Sequence, residues 1–193
     1  YRTLVSGKLD IEQLSEKLLD EAKKLTGSSA GYIGTIDQET GDLIAHTLTE
    51  LLGNICQIKD PHKRGIVFPQ RPEGGFNGLF GHSLNTKEGH FTNSPQDHSS
   101  SVGTPDGHVE IESFLGAPVF LQDNLVGQIG LANKKEGFTD NDLKTVLRLC
   151  DFFAIAIQQI RTEDEIRSSE RRYRSLYEAM QEGFIIQDMD GVI

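Results

Sequence analysis

Residues 114–143 read FLGAPVFLQDNLVGQIGLANKKEGFTDNDL, and this stretch decides the fold. Phe114–Leu121 is an apolar run with β-branched and aromatic residues. Gln122, Asp123 and Asn124 make a turn-like break. Leu125, Gly127, Ile129 and Leu131 then alternate with Val126, Gln128, Gly130 and Ala132, a period of two. Two such runs about a short polar break predict a β-hairpin. Pro118 has no N–H to give to a ladder, so it belongs at an edge or a bulge. A helix must follow at once. Thr139 is a good N-cap, and Asp142 stands three residues on, where its carboxylate meets unpaired amides. Phe138 and Leu143 take the two positions of a hydrophobic staple.

Upstream, residues 9–26 form an amphipathic helix with Ile11, Leu14, Leu18, Ala22 and Leu25 on one face. Asp10 is its N-cap, Lys23 and Lys24 suit its C-terminal dipole, and Gly27 suits the residue just past its end. Residues 30–37 and 43–48 pair as a hairpin across the turn at 37–41. Shorter strands fall at 55–58 and 65–68, with Pro61 and Pro69 breaking the chain beside them. Residues 70–108 are polar and glycine-rich, with a helical turn within 75–84. So long a loop in a compact domain is usually functional or mobile.

Downstream of Thr139 the pattern stays helical to about Met180, with no proline or glycine before Gly183. Phe152, Ile155, Gln159, Thr162, Ile166, Ser169, Tyr173, Leu176 and Met180 keep strict three–four spacing, the seam of a coiled coil. Residues 161–178 carry five basic and five acidic side chains, the mixed charge of an exposed helix.

Length and composition narrow the class. The 193 residues suffice for one good core, or for one domain and part of another. Hydrophobic residues at 36% make the chain globular, and a net charge of −10 argues against nucleic-acid binding, which rests on phosphate neutralisation. No apolar run approaches membrane-spanning length, and no charged-then-apolar leader opens the chain, so a cytoplasmic location is expected. Cys56 and Cys150 form no CxxC; they read as small buried hydrophobes in a reducing compartment.

Asn133-Lys134, Phe138 and, after three further residues, Asp142 resemble the Asn-Lys…Phe…Asp signature of GAF domains. The spacer after Lys134 is shorter than in cyclic-nucleotide phosphodiesterases, and Leu143 stands where those proteins have Glu. Phe114-Leu-Gly-Ala-Pro-Val119 resembles the GAF strand F-L-G-x-P. Leu79-Phe-Gly81, Lys87-Glu-Gly89 and Thr92-Asn93 resemble the stretch that runs into the pocket wall. Gly103-Thr-Pro-Asp-Gly-His108 resembles the variant found in many microbial sensor-kinase GAF domains. The resemblance implies an α+β fold over residues 1–160, a central antiparallel sheet with flanking helices. It implies a small-molecule pocket between residues 76 and 114, with Phe76, Leu79, Phe80, Asn93, Asp97, His98, His108 and Phe114 as candidate ligand contacts. Asn133, Lys134, Phe138 and Asp142 would hold the fold together. Residues 161–180 would then be a signalling helix.

From the end of that helix onward, Arg172-Tyr173, Leu176, Met180, Gly183 and a strand-turn over 186–191 resemble the start of a PAS domain, of which residues 181–193 contain too little for a ligand site. GAF, helix and PAS in this order are common in sensor histidine kinases. The resemblance therefore implies a non-enzymatic sensor module that forms a homodimer through its terminal helices and passes a signal to adjacent PAS and output domains. The alternatives are a purely structural dimerisation module and a cyclic-nucleotide-binding domain regulating another output enzyme.

Residues able to do chemistry are scattered. His46, His62, His82, His90, His98 and His108 show no i,i+4 zinc spacing, and no cysteine lies near them, so no metal site is expected. His108 ends a glycine-bounded turn and could reach into a pocket, although loop histidines more often bond backbone. Asp97-His98-Ser99 has triad residue types, but triads are assembled in space, and neighbours in sequence rarely face one another. Lys134 and Asp142 are expected to form an exposed ion pair worth at most about 1 kcal/mol. No GxxxxGK[ST] is present, and the glycines at 74–81 follow no convincing strand, so nucleotide-loop readings fail. The clustered cysteines of GAF methionine-sulfoxide reductases are missing. So is the Cys-His pair of bilin-binding GAF domains, and haem ligation has no support in the sequence.

Overall fold

A computed structural model describes residues 10–48, 65–103 and 110–190, with backbone alone at Leu48 and 181–190. Its elements in order are α1 (Ile11–Thr26), β1 (Ser28–Ile36), β2 (Leu43–Leu48), β3 (Ile66–Phe68), α2 (Gly78–Thr86), β4 (His90–Thr92), a 3₁₀ turn (Pro95–Asp97), β5 (Phe114–Leu121), β6 (Asn124–Lys134) and α3 (Asp140–Asp190). The strands form one antiparallel sheet in the order β3-β2-β1-β6-β5-β4. The strand expected at 55–58 lies outside the described residues.

Local chemistry accounts for the boundaries. The Asp10 carboxylate accepts the Glu12 amide at 3.0 Å, and Gly27 at φ 75° closes α1 with its N–H on the Lys23 carbonyl. The Asp37 carboxylate accepts the amides of Glu39 and Thr40 in the β1–β2 turn, and these bonds hold its pKa below the ordinary value. The β5–β6 hairpin turns at Gln122, which takes φ 56°. Pro118 pairs with Gln128, and a bulge lies immediately beyond it, between Val119 and Phe120. The outer neighbour of β5, β4, covers only Phe114–Gly116.

The strand alternation sorts the core onto two faces. Ile33, Leu115, Ala117, Val119, Ile129 and Leu131 are all fully buried on one face. Leu19 of α1 reaches them over Gly31, where an added Cβ would stand 2.9 Å from the leucine methyl. The first turns of α3 bury Val146, Cys150, Phe153 and Ala154, and the Cys150 thiol points at the Ala117 carbonyl at 3.6 Å. Burial pushes that thiol's pKa up, so it is inert. The opposite face gathers Ala30, Tyr32, Leu43, Ala45, Phe114 and Ala132 from the sheet with Phe76 and Leu84 from the α2 region. The candidate site lies on this second face.

Two units are distinguished, Tyr1–Ala156 and Ile157–Ile193, and the boundary falls inside α3. The end of that helix departs from expectation. Residues 186–190, read as the first strand and turn of a PAS-like segment, are helical, and α3 passes through Gly183 to Asp190. A helix satisfies its backbone within one segment, whereas a strand needs a partner that this segment lacks among the described residues.

Candidate functional site

The α2 face is built around one buried amide. Gln128 of β6 is fully buried, and every one of its hydrogen-bonding hydrogens is used. The Tyr32 hydroxyl donates to its Oε1 at 2.5 Å. Its Nε2 donates to the Phe80 carbonyl at 2.7 Å and to Ser83 Oγ at 2.6 Å. Sheet and helix α2 are thereby tied through a single side chain. Burial raises the Tyr32 pKa far above its ordinary value, which keeps the phenol a neutral donor. The Tyr32 ring crosses Gly130, where an added Cβ would stand 2.6 Å from Cζ.

Aromatic rings fill the space beside this network. Tyr32 meets Phe68 (centroids 5.8 Å), Phe68 meets Phe80 (4.9 Å), and Phe80 meets Phe76 edge-on (6.2 Å). Asn85 pins Phe76 by accepting its amide and donating to its carbonyl, both at 2.8 Å. Leu79, Phe80 and Ile111 pack against the same cluster.

Three histidines meet at the next position along the wall. His82 of α2, His90 of β4 and His98 after the 3₁₀ turn have ring centroids 4.5, 4.8 and 5.5 Å apart. Ser100 bridges two of them: its Oγ lies 3.0 Å from His82 Nδ1, and its amide donates to His98 Nδ1 at 3.2 Å. His90 lies over Gly116 and 5.9 Å from the Phe114 ring, and both its ring nitrogens are buried with no hydrogen-bond partner. Desolvation, then the neighbouring His82 and His98, push its pKa down to about 4. Desolvation and His82 lower that of His98. Among the described residues no group of three or more His, Cys, Asp or Glu side chains is placed to hold a metal ion.

The residues singled out in the sequence therefore fall in four places. Phe76, Leu79, Phe80 and Phe114 share the apolar cluster with Tyr32. His98 belongs to the histidine trio. Asn93 spends its side chain elsewhere, donating to the Phe138 carbonyl at 3.1 Å and accepting the Phe138 amide at 2.7 Å. Asp97 is exposed in the 3₁₀ turn, and His108 lies outside the described residues. Asp97, His98 and Ser99 do not form a triad: the contacts of His98 are with His82, His90 and Ser100. Tyr32, Ser83 and Gln128 escaped sequence reading. The signal for Gln128 was there, a lone amide at an inward position of an apolar strand.

The Asn133–Asp142 segment is a self-contained clamp. Asn133, at φ 59°, accepts the Glu112 amide and donates to the Glu110 carbonyl, both at 2.9 Å. Lys134 Nζ meets Asp142 Oδ2 at 2.7 Å, and the same oxygen accepts from the amide (2.8 Å) and hydroxyl (2.7 Å) of Thr139. The expectation of an exposed pair is corrected: the two side chains are only 17% and 8% exposed, because the buried Phe138 draws the loop down onto the core. Burial acts to raise the Asp142 pKa, but the bonds from Lys134 and Thr139 outweigh it, and the net shift is downward.

A model of the GAF domain family matches residues 8–158, and the chain belongs to that family. GAF domains are sensory and regulatory modules of signalling proteins. Among curated relatives, the methyl sulfide methyltransferase-associated sensor of Methanosarcina acetivorans is 26% identical over 159 residues, covering 82% of this chain and 15% of its own length. The chain thus spans a small part of that relative. The GAF domain of a phosphoenolpyruvate-protein phosphotransferase from Coxiella burnetii superposes with a TM-score of 0.67 at 16% identity, covering 81% of this chain and 88% of the other. The GAF domain of a two-component sensor histidine kinase from Bacillus halodurans gives 0.56 at 15% identity, covering 82% and 99%. At such identities the structural likeness speaks for the fold.

Proposed function

We propose that this chain is the sensory module of a cytoplasmic sensor histidine kinase-type protein, that it has no catalytic activity of its own, and that it works as a homodimer joined along α3. Input arrives at the α2 face of the sheet, and α3 carries it to a following PAS domain and an output domain. The observation that carries this reading is the surface of α3. Ile166, Tyr173, Leu176 and Met180 fall on one three–four seam whose remaining position is Ser169, and the four apolar side chains are 56–71% exposed. Water does not favour such a stripe on a lone helix, and a second copy laid parallel covers it seam to seam. A helix shared between two chains has discrete packings, so a small shift at one end can select between them.

The filled α2 face favours a second reading, in which the module relays a neighbour's signal with no ligand, or serves only to dimerise. On that face the rings of Tyr32, Phe68, Phe80 and Phe76 pack against one another in a continuous row. Native mass spectrometry separates the readings. A dimer carrying a discrete extra mass supports a ligand-binding sensor, and a bare dimer supports relay. Sedimentation of Ile166→Lys/Leu176→Lys should show a monomer with an unchanged circular dichroism spectrum over the sheet. A wild-type chain that sediments as a monomer at tens of micromolar would refute the dimeric relay.

A further inference from the structure

His82, His90 and His98 come from a helix, an edge strand and a turn, and among them they join three pieces of one wall. We propose that this trio is a proton-operated latch: neutral rings hold β4 and the 98–101 segment against α2, and a proton taken up in mildly acidic conditions releases them. The inference stands on its own and needs neither the ligand nor the dimer of the preceding reading.

The geometry makes each ring pay differently for a proton. His98 Nδ1 accepts the Ser100 amide, which it can do only while that nitrogen is bare. A proton on Nδ1 breaks the bond and turns two donors against each other. His90 has no acceptor at either nitrogen, so its imidazolium would bury two unpaired N–H groups. A charge on His82 would face two rings whose centres lie 4.5 and 4.8 Å away. Among the described residues, the titratable group facing the cluster is His82 from α2, His90 from β4 and His98 from the turn. β5 presents the Phe114 ring and Gly116. The groups acting electrostatically on His90 are His82 and His98, and on His98 the group is His82, so protonation is opposed from within the trio.

The sign follows. Both shifted histidines bind a proton less readily folded than unfolded. Their contribution to the closed wall is complete above the ordinary histidine value of 6.5 and is lost as pH falls, for His90 towards about 4. Other described contacts of the segment are few and local. β4 has three residues paired to β5, and Asn93 anchors its end to Phe138.

The test is amide hydrogen exchange on the full chain at about pH 7.5 and about pH 5, corrected for intrinsic rates, with nitrogen-15 spectra of the histidine rings across the same range. The amides of His90, Thr92, Ser100 and Ser101 should lose at least about tenfold protection on acidification, while Leu115 and Ile129 keep theirs. In His90→Phe/His98→Gln the pH dependence of that protection should vanish. Protection that does not change with pH, or a loss shared equally by Leu115 and Ile129, overturns the latch, as does an unaltered pH dependence in the variant. Should the variant fail to fold, the wild-type rings decide. His90 and His98 titrating below the ordinary range support the latch, and single independent titrations at the ordinary value refute it.

Discussion

Replacing Gln128 by leucine would test how the α2 face is held. The change keeps approximate volume and removes one acceptor and two donors. Three groups lose their partner at once: the Tyr32 hydroxyl, the Phe80 carbonyl and the Ser83 hydroxyl. Tyr32 and Ser83 are buried, so water cannot replace the lost bonds cheaply. A buried polar group left unsatisfied costs about 1–3 kcal/mol, and Ser83 can in part turn to its own helix, so the loss should be about 3–5 kcal/mol. That is a large fraction of the roughly 5–15 kcal/mol available to a domain. Urea denaturation followed by circular dichroism should show a lower midpoint with an unchanged slope. Adding Tyr32→Phe removes one orphan. The double variant should therefore recover about 1–2 kcal/mol over Gln128→Leu, a coupling read from a double-mutant cycle. A Gln128→Leu protein within about 0.5 kcal/mol of wild type would refute the claim that this amide ties sheet to helix.

Two further substitutions probe neighbouring features. Asp142→Asn leaves Lys134 charged and mostly buried, and should cost roughly 2–4 kcal/mol in the same assay. Because the Asp142 pKa is lowered on folding, its contribution is present above the ordinary carboxyl value of 3.8 and lost as pH falls through the folded value, so Asp142→Asn should flatten the acid limb of the stability curve. Gly130→Ala places a methyl against a Tyr32 ring whose hydroxyl is already anchored, and should cost about 1–3 kcal/mol by overpacking; Gly130→Ala combined with Tyr32→Leu should lose less than the sum of the two changes.

Much of the fold could be read from the chain because local signals agreed with one another. Around 114–143, alternation, turn and cap all specify one hairpin and one helix, and Asp10 with Gly27 bracket α1 as expected. The candidate site was less legible, since its parts are made by contacts distant in sequence. Gln128 meets Phe80 across 48 residues and Tyr32 across 96. The eight-residue spacing of His82, His90 and His98 suggested nothing helical, and it becomes a cluster only because α2 ends at Thr86 and β4 brings the chain back. Asn93 looked like a pocket residue and is instead occupied by Phe138. Residues 186–190 carry a strand-like pattern but are helical, and no partner strand for them lies among the described residues.

Pro118 gains a further meaning from the way β5 ends. The Ser113 carbonyl accepts the Asn133 amide, so odd-numbered residues of β5 turn their backbone towards β6 and even-numbered ones turn outward. Beyond Gly116, where β4 stops, the first outward-facing residue is Pro118, which has no hydrogen to offer, and the bulge at Val119/Phe120 then bends the strand away. An incoming extended chain would find that margin short of a donor and out of line. That stretch of β5, past the end of β4, is thereby poorly suited to growing by strand addition.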